Sequence, residues 1–334
     1  MKALVPVGLL VGLFAAEIAS GVGGQTAVLY TDDLGTVAAA LAAFVLCLRA
    51  TGRQRGRLRT FWGLLATASG SWALGELLWA VYDLGGGSVP DPSWADAAYL
   101  AAVLLTAAAL LAHPAVQGRT AGKVRAILDG SVIAASLFFV AWLVLLGPLW
   151  RSADMSTLGG LVMFAYPCGD AMLLFLIVLV VRGTTNRDRV DLWLILLGLI
   201  AMTASDAVYA YLSEVARYST GNIVDVGWVA SYLVIAAAAY SASPQQAAES
   251  TPERPTLTRA ALLTPFAPML IALTLAAVDI HLTHHLDRVA WIAAVILVSA
   301  VLLRQLLLAA DLYTGRHDGT GLARRVLGSL GGAP

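Results

Sequence analysis

The stretch Trp72-Ala73-Leu74-Gly75-Glu76-Leu77-Leu78-Trp79 lies inside an apolar run from Thr60 to Tyr82. At the helical period Trp72, Glu76 and Trp79 fall on one face. The run is long enough to lie within a bilayer. An ionisable side chain there is costly unless it faces a partner, a cavity or the inside of a bundle. The same face returns in the run from Val190 to Leu212, where Met202, Asp206 and Tyr209 each stand 130 residues after Trp72, Glu76 and Trp79. The pattern predicts two related halves, each giving an acid and aromatic rings to a shared interior.

Apolar residues make up 59% of the 334 and charged residues 13%, and the mean hydropathy is +0.79. A soluble domain carries about a quarter charged residues. The expected fold is therefore all-α, a polytopic integral membrane protein, since the apolar runs are near helix-span length and do not alternate as barrel strands do. About ten transmembrane helices are expected, near 3–21, 33–49, 60–82, 94–112, 124–147, 157–181, 190–212, 223–242, 260–280 and 289–310. With the N-terminus inside, 18 of the 21 Lys and Arg residues fall on inner segments and only Arg151, Arg217 and Arg288 on outer ones. That bias predicts N-in and C-in.

Glu17 interrupts the first apolar run, so it reads as a helix rather than a signal peptide. The basic run Arg53 to Arg59 suits anchoring to anionic lipid, and nucleic acid is not expected as a partner. Cys47 and Cys168 both fall within spans, so no structural disulfide is expected.

Spans two to four (33–112) and six to eight (157–242) read as a three-helix repeat. The fifth span, 124–147, restores the orientation of the second copy, giving a parallel repeat about an axis along the membrane normal. With the extra helices 3–21 and 124–147 the repeats form a membrane core, 1–242. A Pro-rich inner linker follows at 243–258, then a terminal helix pair at 260–310 and a short cytoplasmic tail at 311–334, which leaves no room for a soluble output domain.

Candidate catalytic residues are the acids Glu76, Asp206, Asp170, Asp96 and Asp225; Glu17 and Asp279 are further acids within spans. Singly, each also suits a strut that hydrogen-bonds a neighbouring helix. Paired and desolvated, carboxyls can hold a proton and donate it. Candidate substrate-binding rings are Trp72, Trp79, Trp94, Tyr99, Tyr166, Tyr209, Trp228 and Tyr232. Such rings stabilise a cation by up to about 2 kcal/mol each when dry. Trp94 and Trp228, at helix starts, equally suit an interfacial belt.

In Tyr166-Pro167-Cys168-Gly169-Asp170 the proline breaks the helical hydrogen-bond ladder and the glycine admits a neighbouring helix. That kink either turns Asp170 inward or serves packing alone. Asp279, His281, His284 and His285 are metal-ligand types at a helix end, where histidines are usually solvated, and no metal or cofactor is expected. The chain has no Gly-rich phosphate loop, nucleophile elbow or Asp-rich diphosphate motif.

Gly75-Glu76-Leu77-Leu78-Trp79, Pro92-Ser93-Trp94-Ala95-Asp96-Ala97-Ala98-Tyr99-Leu100, Tyr166 to Asp170 and Asp225-Val226-Gly227-Trp228 resemble the multi-helix membrane module that precedes diguanylate cyclase domains in actinobacterial signalling proteins. The resemblance spans about 30–310 and implies a sensory role; family members often have Asp where this chain has Glu76, and here the cyclase domain does not follow. The chain also resembles membrane-integrated terpene cyclases of meroterpenoid and indole-terpenoid pathways. That resemblance implies protonation of an epoxide or alkene and cation-driven ring closure, with Glu76 and Asp206 as the matching acids.

The expected function is a stand-alone enzyme of the bacterial cytoplasmic membrane, a proton-initiated terpene cyclase. Its partners are the lipid bilayer and a hydrophobic, prenyl-type substrate. The alternatives are a sensory or ligand-binding module signalling through a separate protein, and a proton-coupled transporter.

Overall fold

The computed structural model describes residues 4–86, 89–90, 92–114, 131–132, 135–136, 138–152, 157–183, 189–214, 217–242, 266–283 and 285–307. All regular structure among them is helical. The helices are α1 Leu4–Ser20, α2 Gln25–Arg53, α3 Gly56–Leu84, α4 Trp94–Ala112, α5 Gly147–Ser152, α6 Leu158–Gly183, α7 Arg189–Glu214, α8 Asp225–Ser241, α9 Phe266–Thr283 and α10 Arg288–Leu307. Six of these, α2, α3, α4, α6, α7 and α10, are long and apolar enough to cross a membrane, and α1, α8 and α9 are shorter apolar helices. This is the make-up of a multi-pass membrane protein.

Short connections set the order of packing. Gln54 and Arg55 alone separate α2 from α3, with the Gln54 N–H closing on the Ala50 carbonyl. So short a link folds the two helices back against each other. In sequence around the bundle, α2 packs on α3, α3 on α4, α4 on α6, α6 on α7, α7 on α8, and α8 returns to α2. The six helices close into a ring of two three-helix units, α2–α4 and α6–α8, joined at two seams, α4 against α6 and α8 against α2. Helix α1 lies outside the ring against α8 and α2.

Small side chains permit this closeness. Ala40, Ala43, Ala68, Ala102, Ala109, Ala238 and Ala239 are all buried in one core cluster, as small interface residues in membrane bundles are. Many large aliphatics face the other way: Leu41, Leu48, Leu74, Leu77, Leu104 and Leu197 are exposed. An apolar exterior around a polar interior fits lipid as the surrounding medium.

The terminal pair packs separately. Ala272 and Ala276 of α9 and Ala290, Ala293 and Leu297 of α10 form a second cluster with Val132, Phe139 and Trp142. The fifth segment thus packs with the terminal pair, touching the ring through Phe164 and Cys168 of α6. It also runs past its expected end at 147, through a wide turn at Trp142–Leu146 into α5.

Helix α2 starts at Gln25, eight residues before the expected 33, because Asp32 and Asp33 lie on its buried face and do not end the helix. The expected linker 243–258 and tail 311–334 lie outside the described residues, as do 124–130 of the fifth span.

Candidate functional site

The ring interior is lined by carboxyls and the rings that donate to them. Glu76 projects from the middle of α3 and is half-buried. The Tyr232 hydroxyl of α8 donates to its Oε1 at 2.6 Å, and the Tyr99 hydroxyl of α4 donates to its Oε2 at 3.1 Å. Tyr99 comes so near because residue 75 is glycine: a Cβ there would stand 2.5 Å from its ring. Trp72, one turn before Glu76 and buried, packs on Tyr232 with ring centroids 6.0 Å apart.

Asp206 of α7 is half-buried in the other unit. The Trp228 indole donates to its Oδ1 at 2.7 Å, and it shares a carboxyl–carboxyl hydrogen bond with Asp170 of α6. Tyr209 stacks edge-on to Trp228, centroids 5.6 Å apart, and to Tyr218 at 4.6 Å. The Asp206 carboxyl lies within electrostatic reach of Glu76.

Asp96 does two jobs at the start of α4. Its Oδ2 accepts the Ser93 N–H at 2.7 Å and hydroxyl at 2.9 Å, a capping arrangement. Its Oδ1 accepts the Tyr166 hydroxyl of α6 at 2.7 Å, across the α4–α6 seam. At the same seam Gly169 sits so close to Val103 that a Cβ would stand 2.8 Å from Cγ1. Gly169 thus serves helix contact, Pro167 lies within the unbroken helix, and Asp170 is 6% exposed.

At one end of the ring the α7–α8 connection folds over the α8–α2 seam. Asp225 Oδ2 accepts the N–H groups of Gly221 at 3.0 Å and Asn222 at 2.7 Å, and its Oδ1 accepts the Tyr218 hydroxyl at 3.1 Å. The Gly221 N–H is shared with Asp32 Oδ2 of α2 at 3.1 Å. Gly221 has φ +85°, and a Cβ on it would meet Val28 at 2.5 Å, so only glycine fits. Thr220 donates to Asp83 of α3 at 2.6 Å. Burial, then the Asp225 and Asp32 carboxyls, push the Tyr218 phenol well above the ordinary tyrosine value, which keeps it a donor.

The five expected acids thus all line the ring or its end, with Tyr99, Tyr166, Tyr209, Trp228, Tyr232 and Trp72 among them. Trp79 is half-buried on the Glu76 helix. Trp94 does not join: it is 75% exposed on the outer face of the first turn of α4. Asp279 and His285 line a cleft of about 300 Å³ with Trp142, Arg151 and Asp287, away from the ring. His284 lies outside the described residues.

Sequence reading missed Asp32 and Asp33, 4% and 5% exposed. The helical period continuing back through Ala27, Val28 and Leu29 was the available signal. Asp287, also missed, accepts from the Trp142 indole at 3.0 Å and pairs with Arg151 at 3.2 Å.

Compared with protein families, curated proteins and solved structures, the chain matches none.

Proposed function

We propose that the ring is a ligand-binding sensory module of the bacterial cytoplasmic membrane, built from two repeat copies, N-in and C-in. Carboxyls near the seams change how the halves pack when a proton or small cation reaches them. One observation carries this reading: both oxygens of Glu76 are taken by phenols, one from its own unit and one from the other. A catalytic acid aims its proton at a reacting atom, whereas Glu76 spends its oxygens tying the two units together. The likeness to membrane modules of signalling proteins points the same way.

The groups facing Glu76 are Tyr99 from α4, Tyr232 from α8, Asp32 from α2 and Asp206 from α7, with Tyr166 of α6 near the two phenols. The test is tryptophan emission of the full chain in nanodiscs during a pH titration, since Trp72 packs on Tyr232 and Trp228 donates to Asp206. A sigmoidal change that shifts or vanishes in Glu76→Gln supports the reading. A flat profile identical in both proteins refutes it.

A second reading, a proton-initiated terpene or meroterpenoid cyclase, is favoured by the Asp170–Asp206 pair beside the rings of Trp228 and Tyr209. There the pair supplies the proton, the rings stabilise the cation on a prenyl-type substrate, and Glu76 takes the proton back. Mass spectrometry of lipophilic metabolites from cells with and without the gene decides it. Substrate-driven proton flux in vesicles would point instead to a proton-coupled transporter.

A further inference from the structure

Four carboxyls are electrostatic neighbours in turn where the α7–α8 connection covers the ring: Asp32 and Asp33 of α2, Asp83 of α3 and Asp225 of α8. Asp32 lies within electrostatic reach of Asp225 and Asp83, and Asp33 of Asp83 and Asp32. The protein supplies donors to only part of this set. Thr220 serves Asp83, Gly221, Asn222 and Tyr218 serve Asp225 and one oxygen of Asp32, and the Asp32 and Asp225 carboxyls bond each other. Asp32 Oδ1 and Asp33 Oδ2 are fully enclosed and have no hydrogen-bond partner. Buried carboxyl oxygens left without donors are rare and call for an explanation. No Lys or Arg pairs with these acids among the described residues.

We propose that this acidic mouth binds the protonated primary amine of a small organic cation. Both unfilled positions are carboxyl oxygens amid other acids, which an occupant with several donors and a positive charge complements. A primary ammonium brings three donors on a compact charge. Among the described residues no three His, Cys, Asp or Glu side chains are grouped to hold a metal ion, which separates this chemistry from a metal site. The Tyr218 ring, whose hydroxyl donates to Asp225, and the Tyr209 ring 4.6 Å from it add aromatic faces that attract a cation. The covering connection itself carries exposed residues, Arg217, Ser219 and Ile223. A soluble amine and an ethanolamine lipid headgroup present the same ammonium, and both can reach the end of a ring of membrane helices.

The inference deepens the binding-module reading, but its readout is separate. The full chain in phosphatidylcholine nanodiscs, whose headgroups lack N–H donors, is titrated calorimetrically with butylamine. Saturable binding is expected, with tetramethylammonium and sodium failing to compete. Asp33→Asn should weaken it by about tenfold or more, as loss of a charged hydrogen bond does. Asp83→Asn, at the more open helix end, should weaken it in the same sense and serves if the first variant does not fold. Repeating the titration in phosphatidylethanolamine nanodiscs separates the sources: lost butylamine binding identifies the lipid headgroup, and retained binding a soluble amine. Absence of saturable binding in phosphatidylcholine, equal competition by sodium or tetramethylammonium, or wild-type affinity in both variants would overturn the proposal. Amine binding with flat tryptophan emission would remove the sensory reading alone, and a pH-responsive emission without amine binding would remove this inference alone.

Discussion

Tyr232 of α8 donates a 2.6 Å hydrogen bond to Glu76 of α3, so a phenol of one three-helix unit closes on the carboxyl of the other. Around it the ring is held at its seams by similar polar contacts, Asp96 with Tyr166 and Asp83 with Thr220.

Tyr232→Phe removes that donor while keeping the ring that packs on Trp72. A carboxyl oxygen deprived of its partner inside the bundle should destabilise the fold by about 1–3 kcal/mol. Tyr99→Phe, which breaks the longer 3.1 Å bond, should have the smaller effect. Thermal melting of the solubilised variants checks both.

Gly221→Ala puts a side chain on a backbone at φ +85° and against Val28. Strain at such a position is of order 1–3 kcal/mol. Because the same N–H serves Asp32 and Asp225, hydrogen exchange should rise at the start of α8 as well as in the connection. Unchanged exchange there would separate the glycine from the seam.

His113 follows α4, buried edge-on to Phe61 with centroids 5.0 Å apart. Burial, helped by the Arg57 charge, pushes its imidazole down from 6.5 to about 4. Between those values the unfolded chain binds a proton that the folded chain does not, so stability falls as pH drops from 6.5 toward 4. His113→Gln should flatten that slope in melting curves taken across the window. A slope identical to wild type would count against the assignment.

Asp287 behaves oppositely. Its partial burial would raise the carboxyl, but the Ala290 N–H, the Trp142 indole and Arg151 together hold it below 3.8. Its contribution is complete above the ordinary carboxylate range and disappears as pH falls through the lower folded value. The pair is largely exposed, so Asp287→Asn should loosen α9 and α10 modestly. Faster hydrogen exchange confined to those helices is the expected result; equal loosening of α3 and α7 would contradict the separate packing.

The helices and the shared acid-and-aromatic interior were legible in the sequence because apolar run length and the 3.6-residue period act locally. Glu76 and Asp206 announced themselves by matched neighbours. Asp32 and Asp33 did not, since a hydropathy window stops at charge, whereas a helix continues wherever its acids find donors on another element. The donor that Asp32 finds, the N–H of Gly221, lies almost two hundred residues away in the chain and no local pattern points to it. Trp94 shows the converse: an indole at a helix start reads alike whether it turns inward or outward, and tertiary packing alone turned it out.

Among the described residues the seams contain hydrogen bonds between phenols, hydroxyls, amides and carboxyls rather than paired opposite charges. Such bonds act over a single contact distance, so dissolved ions have little field to screen between them. The union of the two halves should therefore be nearly indifferent to ionic strength while remaining responsive to anything that occupies a carboxyl oxygen.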